Sequence, residues 1–153
     1  MDEMDEMEIR ACLPGDKAGL LDLWTQCNLI NPKNDPEKDI LRKSQSSPGW
    51  ILVGVMDGRL VASAMVGYEG HRGWINYLAV HPSCRRKGLG RLMLERAEQE
   101  LQRVGCPKIN LQIRKGNEAV RRFYEKVGFV EDEVISMGKR MVDDSEPKAG
   151  SDG

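Results

Sequence analysis

Leu78-Ala79-Val80-His81-Pro82-Ser83-Cys84-Arg85-Arg86-Lys87-Gly88-Leu89-Gly90 joins a strand to a helix, and its reading decides the fold. Upstream, Trp74 to Val80 is aromatic, β-branched and apolar, the make-up of a strand buried on both faces. His81-Pro82 ends it, because proline brings no N–H to a ladder and turns the residue before it away from helix. Downstream, Leu89, Leu92, Met93, Ala97, Leu101 and Val104 recur every three or four residues among charged and amide side chains, which predicts an amphipathic helix with one buried face. Gly105 stands where a left-handed helix end is wanted, and Pro107 follows.

Between strand and helix lie three cations, Arg85, Arg86 and Lys87, and two glycines, Gly88 and Gly90. The first turn of a helix leaves about four N–H groups unpaired at the positive end of its peptide dipoles. Glycine lets a ligand approach the backbone, and cations add charge beside it. The junction therefore suits an anion, with a pyrophosphate the first choice, although the same spacing also serves as a bare tight connection.

The 153 residues are enough for one domain with a real core. With 23 Lys and Arg against 24 Asp and Glu, the net charge of −1 gives no overall basic surface for nucleic acid. Cys12, Cys27, Cys84 and Cys106 have neither zinc-ligand spacing nor the density of a disulfide scaffold. No metal site is expected, and reduced thiols point to a cytoplasmic setting. The acidic start lacks a secretory signal and no apolar run is long enough to span a membrane, so no membrane partner is expected. Residues 1–6 read as an acidic disordered segment, 7–142 as a single domain and 143–153 as a disordered tail.

Working outward, Glu8 to Leu13 forms a first strand and Asp16 caps a helix carrying Leu20, Leu23 and Trp24. Asp35-Pro36 opens a second helix. Trp50 to Met56 and Arg59 to Tyr68 are strands about an Asp57-Gly58 hairpin turn, and the strand at Trp74 completes a meander. Lys108 to Ile113 reads as a strand parallel to the one ending at Val80, across a right-handed helical crossover. Asn117 caps a helix with Phe123 and Tyr124 that ends at Gly128, and a last strand runs from about Val134 to Met141.

This order of elements, with Arg85-x-x-Gly88-x-Gly90 and the run Asn117 to Phe129 containing Phe123-Tyr124-x-x-x-Gly128-Phe129, resembles the GNAT superfamily of acyl-CoA-dependent N-acyltransferases. The Gly67 to Gly73 turn and the Ser136 to Arg140 ending are most similar to the YpeA-like bacterial members. The resemblance implies an α/β (α+β) fold: a mixed, mostly antiparallel sheet with a central parallel strand pair, flanked by about four helices. It also implies transfer of the acetyl group of acetyl-CoA to a primary amine, on a small molecule or a protein, by a monomer or homodimer.

On that resemblance Arg85, Arg86, Lys87, Gly88, Leu89 and Gly90 hold the CoA pyrophosphate. Leu78, Ala79 and Val80 offer main-chain bonds to the pantetheine arm, and Asn117 lies beside it. Tyr124 is the acid for the departing thiolate. Many members carry a Glu on the strand equivalent to Trp74–Val80; here the polar residue on the Leu78 and Val80 face is Asn76, which accepts no proton at neutral pH. Glu69 and His71 in the preceding turn are the substitute bases, with Glu69 preferred. Two other classes remain in view. One is a non-catalytic acyl-CoA-binding module. The other is a dinucleotide-dependent oxidoreductase, disfavoured because Met93 stands where its fingerprint wants a third glycine.

Overall fold

Two apolar sheet faces, each needing a cover of helices, dictate the architecture. The computed structural model describes residues 6–145. In chain order come β1 (Glu8–Ala11), α1 (Lys17–Gln26), α2 (Pro36–Ser46), β2 (Ile51–Met56), β3 (Arg59–Tyr68), β4 (Gly73–Val80), α3 (Leu89–Arg103), β5 (Ile109–Asn110) and α4 (Glu118–Lys126). The sheet order is β1-β2-β3-β4-β5, antiparallel throughout except for the parallel β4–β5 pair.

Successive side chains of a strand leave opposite faces, and β2 feeds both. Ile51 and Val53 meet Leu20, Leu23 and Trp24 of α1 and Ile40 of α2. Leu52 and Met56 meet Met93, Leu94, Ala97 and Leu101 of α3, together with Tyr124 of α4. Burial on two faces is why β2 reads as a continuous apolar run. Met93, Leu94 and Leu101 are fully buried, and each contributes roughly 2–3 kcal/mol by leaving water. The β2–β3 turn places Asp57 at φ 51° and Gly58 at φ 75°, the left-handed pair of a type I′ hairpin, as the dipeptide predicts.

Caps follow the sequence with one exception. The Asp35 carboxylate accepts the Glu37 N–H (2.9 Å) and opens α2. Asp16 stands at the α1 cap position but makes no side-chain cap bond. Its carboxylate instead takes both Arg10 guanidinium nitrogens (2.7 and 3.1 Å) and the Leu13 N–H (2.7 Å), because a bidentate cation on β1 offers more than one helix amide.

Three further expectations change. The Lys108 to Ile113 strand shortens to Ile109–Asn110, paired with Gly73 and Trp74 alone. The last strand, from Val134 to Met141, does not form. The returning chain is held beside β5 by side chains, Lys108 and Asn110 to Asp132 and Gln112 to Ser136, rather than by a ladder. Val134 is 74%, Ile135 88% and Met137 90% exposed: neither face of this segment has a helix to pack on, since α1, α2 and α3 are committed to β2, β3 and β4. The parallel pair consequently lies at the sheet edge and not at its centre.

Of the tail expected from Asp143, residues 143–145 are within the described structure. Asp144 accepts two bonds from Arg42 on α2 (3.0 and 3.1 Å). Residues 146–153, and 1–5 at the other end, lie outside the described residues. Among the described residues, no helix is long and apolar enough to cross a membrane.

Candidate active site

The site begins with a fault in the meander. β3 and β4 pair in one register from Tyr68↔Gly73 to Met65↔Asn76 and in another at Ser63↔Ala79 and Ala62↔Val80. Between them Tyr77 adopts φ 53°, a left-handed conformation that costs a side-chain-bearing residue about 1–2 kcal/mol. The His81 N–H donates to Val61 C=O (2.8 Å), so Ala79 faces β3 in the same phase while the N–H and C=O of Val80 turn away from it. On that side β5 reaches only Gly73 and Trp74. The main chain at Val80 therefore borders an open slot between two parallel strands that have parted.

The Val80 C=O accepts the Cys27 thiol from the end of α1 (3.2 Å) and the Arg85 Nε (3.3 Å). Arg85 thus folds back onto the strand end, with its guanidinium 3.7 Å from Cys27 Sγ, whereas Arg86 and Lys87 are exposed at the turn. The turn winds through two left-handed residues, Arg86 (φ 68°) and Gly88 (φ 77°). A Cβ at Gly88 would meet nothing within 4 Å, so glycine serves the backbone conformation and leaves open space beside it. The helix's first bond runs from Leu92 N–H to Gly88 C=O (3.2 Å); the N–H groups of Leu89, Gly90 and Arg91 have no acceptor among the described residues. The Leu89 side chain is buried in the core and fixes the helix start. A methyl at Gly90 would lie 3.4 Å from Phe123 and 3.7 Å from Val80, which brings α4 and the end of β4 to the same helix start.

On α4, the Asn117 side chain accepts the Val120 N–H (3.4 Å) and caps the helix. Tyr124 is only 8% exposed, edge-on to Phe123 (5.1 Å between ring centroids) and Phe129 (5.4 Å). Burial pushes its pKa up to about 12, and its hydroxyl has no hydrogen-bond partner among the described residues. A phenol so placed stays protonated at neutral pH.

Glu69 lies apart from these groups, in the turn before β4, at the opposite end of that strand from Val80. Its carboxylate accepts the N–H groups of Arg72 (2.7 Å) and His71, and those two bonds hold it below the usual carboxylate range. Asn76 is exposed on β4. The structure thus brings Val80, Leu89, Gly90 and α4 together and leaves Glu69 outside.

Sequence reasoning missed the groups behind the bulge. Trp24 stacks on Tyr77 (3.7 Å, 13° between planes), Ser63 bonds both, and Asp39 accepts the Tyr77 hydroxyl. The one available signal was Ser63 itself, a lone hydroxyl in the apolar run Val61 to Val66. Among the described residues, no group of three or more His, Cys, Asp or Glu is placed to hold a metal ion.

The acetyltransferase (GNAT) family profile matches residues 18–129. An acetyltransferase of Pectobacterium atrosepticum is 43% identical over 140 residues, covering 92% of this chain and 99% of the relative. Among solved structures, the ribosomal-protein-S18-alanine N-acetyltransferase of Escherichia coli superposes with a TM-score of 0.71 at 22% identity, over 83% of this chain and 79% of that one. The glucosamine-6-phosphate N-acetyltransferase of Arabidopsis thaliana does so with a TM-score of 0.65 at 26% identity, over 90% and 99%. The chain belongs to the GNAT acetyltransferase family, and it is an acyltransferase.

Proposed function

We propose that this protein transfers the acetyl group of acetyl-CoA directly to a primary amine bound beside it. The observation that carries the reading is the pairing of two sets of unoccupied main-chain donors, Leu89 to Arg91 at the start of α3 and Val80 at the parted end of β4. The first set suits a diphosphate, with Arg86 and Lys87 adding charge. The second suits an amide-bearing chain that lies along a strand edge, as the pantetheine arm of CoA does. Arg85 joins the first set by releasing Val80, and Leu78, Ala79 and Asn117 border the arm. The glucosamine-6-phosphate N-acetyltransferase named above, at 26% identity, carries a nitrogen acceptor in its name, which supports an amine here.

Acetyl-CoA supplies the activated thioester. A main-chain N–H beside Val80 on the parted strand receives the oxygen that gains charge as the amine attacks, and the Tyr124 hydroxyl gives its proton to the sulfur as the C–S bond breaks. Glu69 is already committed to its own turn, so the amine proton passes to water. In this reading kcat/KM rises with pH toward the pKa of the amine. Four free cysteines support a cytoplasmic setting for the reaction.

The test is calorimetry with CoA, followed by thiol release from acetyl-CoA across a panel of amines. Wild type binds CoA, and Gly88→Trp, which fills the open space at the turn, weakens binding by about 100-fold or more. Equal affinity in the two proteins would move the donor site elsewhere. Tight CoA binding with no thiol release on any amine would instead make the protein a CoA-binding module.

A further inference from the structure

Tyr77 holds a strained conformation in mid-strand, and groups from three other elements hold it there. Ser63 on β3, wholly buried, donates its hydroxyl to the Tyr77 C=O (2.7 Å) and accepts the Trp24 indole N–H (2.9 Å). Trp24 on α1, also wholly buried, stacks face to face on the Tyr77 ring. Asp39 on α2 accepts the Tyr77 hydroxyl (2.7 Å), with Arg42 3.6 Å from the same carboxylate.

The bulge decides which amide of β4 faces the slot. Before it, Met65 and Asn76 are partners and the two residue numbers sum to 141; after it, Ser63 and Ala79 are partners and the sum is 142. Without the extra residue the first register would continue, Val80 would face Val61, and its N–H would be used up in the β3 ladder. A shift of one residue exchanges inward and outward amides along the rest of the strand. The outward Val80 N–H therefore exists because Tyr77 is held at φ 53°.

We propose that Trp24, Ser63 and Asp39 are positioning residues for the acyl donor, clamping the Tyr77 bulge so that the Val80 N–H is presented to the pantetheine arm. The inference rests on the acetyl-CoA reading above. It adds that α1 and α2, on the far face of the sheet, set the geometry of the donor strand.

Two probes separate this role from general stability: CoA, and 3′-phospho-ADP, the nucleotide half of CoA without the arm. The variants are Ser63→Ala, which removes both hydrogen bonds of the hydroxyl, and Trp24→Phe, which removes the indole N–H and part of the ring stacked on Tyr77. Each is expected to raise the Kd for CoA about tenfold and to leave the Kd for 3′-phospho-ADP within about twofold. Parallel weakening of both probes, or of neither, overturns the clamp.

Hydrogen exchange of the wild-type Val80 amide supplies a readout that depends on no variant folding. It is expected to exchange freely in the unliganded protein and to be protected by CoA, whereas protection equal to that of Ala79 without CoA overturns the proposal. Failure of wild type to bind CoA at all would overturn the acetyl-CoA reading and this inference with it. Normal CoA binding with indifferent variants would remove the clamp alone.

Discussion

Tyr124 sits inside the protein with its hydroxyl unengaged, and burial raises its pKa to about 12. The phenol therefore stays protonated across the working range of an amine acetyltransferase, as an acid for a thiolate must. Tyr124→Phe is expected to lower kcat by about 10- to 100-fold with acetyl-CoA affinity nearly unchanged, read by steady-state thiol release and calorimetry. An unaltered kcat would leave Tyr124 as a core aromatic. The same shift has a consequence for stability. The unfolded phenol ionises near pH 10 and the folded one near 12, so its contribution is whole below 10 and is lost as pH rises to 12, by at most about 2–3 kcal/mol. Denaturant titrations should show a shallower alkaline decline in Tyr124→Phe than in wild type. At this scale sequence pattern gave identity without environment: Tyr124 was picked out by its motif, while the carboxylate of Glu69 became committed only once the turn closed around it.

The strand-turn-helix at Leu78 to Gly90 was legible because its signals are local: apolar run, proline, glycine, amphipathic period. Local rules also fixed the Asp57-Gly58 hairpin and the Asp35 cap. Asp16 shows where such rules give way, since Arg10 on a neighbouring element captured the capping carboxylate. That pair ties β1 to the entry of α1 and holds the Asp16 pKa below its ordinary value, the Arg10 hydrogen bond being the main cause. A lowered carboxylate pKa stabilises the fold above the unfolded value and stops doing so as pH falls through the folded one. Asp16→Asn should therefore cost about 1 kcal/mol near neutrality, with the gap from wild type closing toward pH 2 in chemical denaturation. A gap independent of pH would show that the charge of the carboxylate carries none of the loss.

Over the whole molecule, the described chain divides into a sheet packed on both faces by α1, α2 and α3, and a C-terminal segment from Val130 to Val142 held mainly by side-chain bonds and the Arg42–Asp144 pair. Limited trypsin digestion is expected to cut at Lys139 or Arg140 before any site in β1 to α3; earlier cleavage within α3 would show that the packed sheet is the weaker part. The amino-acid order was enough for most of the elements up to α4, for the hairpin and for the glycine turn before α3, because their signals lie within short stretches of chain. Only the tertiary structure decided that the segment from Val134 finds no face to bury and that Trp24, Ser63 and Asp39 converge on Tyr77. Those outcomes depend on contacts between residues far apart in the chain, whose register is set by packing and by the one extra residue in β4.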